Sequence, residues 1–353
     1  MSTFPMTSMQ RVLTALGHQE PDRVPFFLLT TLHGAQELGL SIRDYFGQAR
    51  NVAEGQLRLR ARYGHDCYYP FYYAAAEVEA FGGEVIFRDD GPPNAGEPVL
   101  RRAEEILTLA PPVIADQPVL VRVLETIRLL AAASRGEAPI IGVALAPFSL
   151  PVMQLGFEAY LRLIYERPDL FARLMQVNEE FCVAWATAQV AAGANAICYF
   201  DPVSSSTIVT PEMYRTTGYA VARRVLPRIP APVALHFASG ACLPILPDVQ
   251  QTGAALVGVS SLEDLGALKA ACRGKIGLFG NLNGITMARW TVAEAEAEVK
   301  RCLAAAGAGG GYILADNHGE IPWQVRDEVL LAIADAVRRW GAYPLQITEH
   351  DAA

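Results

Sequence analysis

The chain has 353 residues and a mass of 38.2 kDa, with 52% apolar and 19% charged residues, which excludes a disordered polymer and requires a large buried core. Lys and Arg number 29 against 37 Asp and Glu, a formal charge of −8, and no Lys/Arg run exceeds two residues, so a nucleic-acid partner is not expected. The most apolar stretch, 139–157, is interrupted by Pro147, Ser149, Pro151 and Gln154, and the opening MSTFPMTSMQRVLTALG lacks a basic cap and an unbroken apolar run, so neither a membrane span nor a signal peptide is expected.

Short apolar runs recur along the chain, each followed by a longer helical pattern. The first two are 23–29 (RVPFFLL) and 66–69 (DCYY). Residues 81–111 then break the rhythm with turn signals and two short strand-like runs, which reads as a hairpin inserted after the second strand. The rhythm resumes at 140–146 (IIGVALA) and 196–200 (AICYF). Thr210-Pro211-Glu212 then supplies a cap, an N1 proline and an acid for one helix running to Leu226. Further strands are expected at 233–237 (VALHF), 256–260 (LVGVS) and 276–280 (IGLFG). A Thr-x-x-Glu capping box at Thr291 opens the helix 291–303. The last strand is 312–315 (YILA). Apolar on both faces, these runs predict a parallel sheet covered by helices. Eight strand–helix units with no glycine-rich turn after Leu29 predict a (β/α)8 TIM barrel with the hairpin insertion, not an open dinucleotide-binding sheet. One domain is expected over 1–345, with the chain loosely held after Trp340 and a flexible tail at 346–353.

The six cysteines (Cys67, Cys182, Cys198, Cys242, Cys272, Cys302) lie far apart, with no C-x-x-C pair. They predict buried free thiols in a reducing compartment, with the cytoplasm as the default location. Gly307-Ala-Gly-Gly-Gly311 precedes a strand, whereas a phosphate cradle precedes a helix N-terminus, so it reads as a helix end and a turn.

In a barrel of this kind function sits where the strand C-termini converge. That rule selects Thr30 and Thr31 after the first strand, Tyr69, Tyr72 and Tyr73 around the second, and Asp201 after the fourth. It also selects His236 in the fifth, Ser260 and Ser261 after the sixth, Asn281 and Asn283 after the seventh, and Asp316, Asn317, His318 and Glu320 after the eighth. Loop capping explains any one Ser, Asn or Asp equally well, and rim packing explains the tyrosines equally well. Two of the six histidines at strand ends, one of them in Asp-Asn-His-Gly-Glu, are harder to assign to capping. His236, His318 and one of Asp201, Asp316 or Glu320 would number enough ligands for zinc, but no local spacing requires it, and no metal is assigned.

Several of these segments carry a family resemblance. They are Glu20-Pro-Asp-Arg-Val-Pro25 after the opening helix, Ala146-Pro-Phe-Ser149, Asp201-Pro with Thr210-Pro-Glu-Met-Tyr214, Gly280-Asn-Leu282, and Gly310-Gly-Tyr-Ile-Leu314 with His318-Gly319. With them the chain resembles, as far as about Arg339, the uroporphyrinogen decarboxylase superfamily, which also holds corrinoid-dependent methyltransferases. The resemblance implies the same barrel and a site at the strand C-termini. The decarboxylases use an arginine-bearing motif after the first strand and an aspartate after the second, where this chain has LLTTLHGAQELG and CYYPFYY. A tyrosine that follows their Ala-Pro-Phe element is replaced here by Leu150-Pro-Val-Met153. The thiol-methylating branch binds zinc through His-x-Cys and a later cysteine, where this chain has His236-x-Ala238 and His318. What remains resembles the zinc-free branch that moves a methyl group between a corrinoid (cobalamin) on a partner protein and tetrahydrofolate.

On that reading His318, Asp316 and Glu320 are the expected catalytic residues, with Asp201, His236, Asn281, Asn317 and Tyr72 binding substrate. A carboxylate accepts the adjacent donors of a pterin edge and an asparagine reads the neighbouring acceptor, while His318 or Glu320 relays the N5 proton. The alternatives are a uroporphyrinogen decarboxylase-type lyase, a zinc-dependent thiol methyltransferase, and a binding barrel without turnover. A corrinoid-binding protein and a small-molecule folate are the expected partners. The oligomeric state is open, with a homodimer as one option.

Overall fold

The computed structural model describes residues 5–347. The expected tail therefore lies mostly outside the described residues. Its strands are β1 (Val85–Ile86), β2 (Asn94–Ala95), β3 (Ile141–Leu145), β4 (Ala196–Phe200), β5 (Val233–His236), β6 (Leu256–Gly258), β7 (Gly277–Leu282) and β8 (Tyr312–Asp316). β1 and β2 pair antiparallel and form the inserted hairpin. β3 to β8 form one parallel sheet in sequential order.

The two expected strands before the hairpin complete the ring through single bridges. Phe26 bridges Leu314 and Tyr68 bridges Ile140, both in parallel. The Asp66 amide donates to the Phe26 carbonyl at 2.8 Å, linking the two segments to each other. Ladders do not form there because side chains take the backbone groups. Pro25 has no N–H, the Phe26 amide donates to the Asp66 carboxylate (3.0 Å), and the Tyr69 amide donates to Gln56 (2.8 Å). The same Asp66 carboxylate accepts from Arg11 and Arg23, both at 2.7 Å, and from Ser8 at 2.8 Å. A buried acid satisfied this fully ties the opening helix Ser8–Leu16 to the base of the barrel. The result is a (β/α)8 barrel.

Alternation along the strands separates two apolar layers. Phe27, Leu29, Tyr69, Val143, Cys198, Phe279 and Ile313 fill the lumen. Their alternating neighbours, among them Phe26, Leu28, Tyr199, Leu278 and Leu314, pack under the helices. All six cysteines are free and buried. No helix among the described residues is long and apolar enough to cross a membrane.

Both expected caps form. Thr210 accepts from the Met213 amide, and Thr291 with Glu294 makes the reciprocal box. The helix after Thr210 is not continuous, however. It breaks at Thr217 into Pro211–Thr216 and Gly218–Val225. Thr217 donates back to the Met213 carbonyl at 2.5 Å, and the chain then passes so close to Ser204 that a Cβ on Gly218 would lie 1.9 Å from its hydroxyl oxygen. The chain just after Trp340 also differs from expectation. The Val24 amide donates to the Gly341 carbonyl at 2.9 Å, Tyr343 donates to Asp22 through its amide (3.2 Å), and its hydroxyl donates to Gly307. Those bonds strap residues 341–343 to the barrel base.

Candidate active site

The β8 end and the loop beyond it form the centre of the mouth. Asp316 is buried, and one of its oxygens accepts the amides of His318 and Gly319, both at 2.8 Å. Its other oxygen has no partner among the described residues. Burial holds this carboxyl above its usual range, against the pull of those two amides. Glu320 accepts from the Thr31 hydroxyl after the first strand. Burial pushes Glu320 up to about 7, with the Asp316 charge adding to the rise and Thr31 opposing it. A carboxyl that titrates near neutrality beside a second acid is suited to taking and returning a proton.

His236, at the end of β5, stacks on Phe200 (4.9 Å between centroids) and meets Phe279 edge-on at the same distance. Its Nδ1 accepts the Ala238 amide at 2.8 Å, so the proton of the neutral ring sits on Nε2. Burial, then the His318 charge, lower this imidazole to about 3, which keeps it neutral. Nε2 has no partner among the described residues. It is a free donor, whereas a metal-binding imidazole offers a bare nitrogen and donates with the other. Gly319 explains how the β8 loop reaches this ring: its φ is +91°, and a Cβ there would lie 2.4 Å from Phe200 and 3.3 Å from Nε2. His318 is exposed, and its Nδ1 pairs with the Ser239 hydroxyl at 3.0 Å.

Asp316, His318, Glu320 and His236 are therefore brought together, and four expected residues are not. Both ends of the Asn281 amide are used, the nitrogen by the Ser260 carbonyl (2.9 Å) and the oxygen by Arg301 (3.2 Å). Asn317 accepts the Gly284 amide and donates to Ser261, both at 3.1 Å, so it braces neighbouring loops. Tyr72 is a core residue. It bonds Thr126 at 2.9 Å, packs against Phe46 at 5.1 Å, and is pushed up to about 12 by burial. Asp201 accepts from Ser149 at 2.6 Å and sits by Tyr160, Tyr199 and Tyr214, whose rings belong to the layer under the helices. Burial raises Asp201 to about 6, and its second oxygen is unpartnered among the described residues.

Three groups joined the site without being predicted in these roles. Thr31 holds Glu320, Ser239 holds His318, and the buried Tyr69 hydroxyl, unpartnered among the described residues, lies in the field of Asp316 and Glu320. Thr31 and Tyr69 were visible in the sequence as strand-end polar groups. Ser239 carried no signal, because its role depends on the distant β8 loop.

The arrangement is acidic and neutral. Among the described residues, no lysine or arginine pairs with Asp201, Asp316, Glu320, His236 or His318, whose partners are hydroxyls and backbone amides. The fold is a (β/α)8 barrel, an architecture whose characterised enzymes carry their active sites at the strand C-termini. The chain belongs to the uroporphyrinogen decarboxylase (URO-D) family, which it matches over residues 7–340. It is 25% identical to the uroporphyrinogen decarboxylase of Idiomarina loihiensis, covering 96% of this chain and 98% of that one. It is 30% identical to that of Syntrophotalea carbinolica over 74% of this chain and 76% of the relative. A methyltransferase from Methanosarcina mazei shares the fold, with a TM-score of 0.84 and 22% identity over 95% of this chain and 99% of that one. Members of this family are enzymes.

Proposed function

We propose that this barrel, acting as one unit over 1–345, is a methyltransferase that moves a methyl group between a methylated corrinoid on a partner protein and tetrahydrofolate. The observation that carries the reading is the mouth itself: acceptors and donors that, among the described residues, are unpartnered and have no cation paired to them. A porphyrinogen with eight carboxylates needs guanidinium partners, and bringing it against Asp316 and Glu320 would set like charges together. A pterin edge is neutral and rich in donors, which suits the free oxygen of Asp316. The free Nε2–H of His236 and the Tyr69 hydroxyl suit the pterin's acceptors and ring face.

The corrinoid, when its protein docks, supplies a cobalt-bound methyl group open to in-line displacement. This chain's residues orient the pterin and handle one proton. Asp316 holds the pterin edge, and its fixed backbone bonds keep the free oxygen in place. Glu320 accepts the N5 proton during transfer to tetrahydrofolate and returns it in the opposite direction. His318, held by Ser239, completes the relay at the exposed rim. The tautomer of His236, together with Ala238 and His318 where the thiol-methylating branch has cysteines, supports chemistry without a zinc ion.

Calorimetric titration tests the binding half of this reading. One tetrahydrofolate per chain is the expected stoichiometry, with affinity insensitive to chelators. No saturable binding would remove the folate assignment.

A further inference from the structure

A concave site lies at the opposite end of the barrel. It is a cavity of about 410 Å³ between the C-terminal end of the helix Leu265–Cys272 and the loop leading into β8, with His18, Lys269 and Arg273 on its wall. That volume falls in the range of small-molecule sites. The chain carries a net charge of −8, yet this cavity gathers cationic groups.

The glycine run shapes it. Gly309, Gly310 and Gly311 have φ of +78°, +65° and +68°. A Cβ on Gly310 would lie 2.3 Å from the Gln19 carbonyl oxygen, and one on Gly311 would lie 2.4 Å from His18 Nδ1. The glycines therefore let the loop close onto residues 18 and 19, placing His18 beside the helix that carries Lys269. Lys269 is buried, and its ammonium donates to the Gly310 carbonyl. Among the described residues neither it nor the exposed Arg273 has a carboxylate at ion-pair distance. A nearby acid, Glu20, accepts the Gly309 amide at 2.8 Å. Burial, and then the Arg273 charge, lower the Lys269 ammonium to about 8. A buried ammonium beside a guanidinium, with no carboxylate in ion-pair contact among the described residues, is half of an ion-binding site.

The geometry points to a binding site for a phosphate-type dianion in this basal cavity, held by Lys269 and Arg273 with His18 as a third donor. Two cations match a dianion in charge, and Arg273 can meet two of its oxygens at once. The cavity has room for more than a free ion, so the group is either orthophosphate or the terminal phosphate of a small metabolite. Here side chains hold the anion, which accounts for a glycine-rich loop that precedes a strand and not a helix. The site faces away from the mouth and stands independently of the reaction proposed there.

Equilibrium binding to the full chain tests it, with orthophosphate and glycerol phosphate as probes against chloride at matched ionic strength. Saturable binding of one phosphate per chain is expected. The exposed Arg273→Gln change should weaken it by at least about tenfold and leave the phosphate-free melting temperature unchanged. Lys269→Met should abolish binding, and in phosphate-free buffer it should melt little lower than the parent, because it removes a buried charge that has no carboxylate in ion-pair contact among the described residues. Tighter binding of glycerol phosphate would assign the site to a phosphorylated metabolite, and tighter binding of orthophosphate to the free ion; either sustains the proposal. Binding no stronger than chloride, or Arg273→Gln binding like the parent, would overturn it.

Discussion

Glu320→Gln is expected to lower methyl transfer by about two to four orders of magnitude, the usual worth of a positioned proton carrier. The substitution keeps size and accepts the same hydrogen bond from Thr31, so folding should be little affected. The pH dependence supplies the more specific readout. The Glu320 carboxyl titrates near 7 because burial and Asp316 disfavour its charged form. In the proposed reaction, transfer to tetrahydrofolate needs the carboxylate, so its rate should rise with pH through about 7 and level off above. The opposite direction needs the protonated acid, so that rate should fall over the same range. In the Gln variant both limbs should flatten. A variant that keeps the parent profile would remove Glu320 from the proton path.

Asp316→Asn should weaken tetrahydrofolate binding by about 1.5–3 kcal/mol, roughly 10- to 150-fold. Asparagine retains one oxygen for the His318 and Gly319 amides, so the loop stays in place. What changes is the free oxygen, which becomes an NH2 group and, in the proposed complex, would face the pterin's own donors. Calorimetry should show the lost affinity, and thermal melting should show a nearly unchanged midpoint. Unchanged affinity would mean that the pterin edge is read elsewhere. A collapsed midpoint would mean that Asp316 is a loop brace only.

The barrel was legible because its signal is local. Runs such as 140–146 and 196–200 are apolar on both faces, which only a sheet covered on both sides requires, and they reappear as β3 and β4. The hairpin announced itself through turn residues and appears as β1 and β2. The replacement of ladders by single bridges at the first two positions was not legible. It follows from Asp66 taking the Phe26 amide across 40 residues of chain, a partnership that no periodicity encodes.

The site was legible as a list but not as a geometry. Strand ends select polar residues without saying where each side chain turns. Asn281 and Asn317 have the right chemistry, yet Arg301, Ser260, Ser261 and Gly284 consume their amides. Asp201 turns toward the tyrosines under the helices. Tyr72 packs among rings while Tyr69, three residues earlier, enters the lumen beneath Asp316. The choice of tautomer at His236 rests on a single amide, that of Ala238, and becomes visible only with coordinates.

One anaerobic spectrophotometric experiment tests the proposed methyl transfer most directly. The protein is mixed with methylcobalamin and tetrahydrofolate while cob(I)alamin formation is followed, and a parallel sample receives uroporphyrinogen and is assayed for loss of carboxyl groups. The expected result is cob(I)alamin formed in proportion to enzyme, dependent on tetrahydrofolate and indifferent to chelators, with uroporphyrinogen left intact. Decarboxylation of uroporphyrinogen, with no folate-dependent demethylation of the corrinoid, would contradict it.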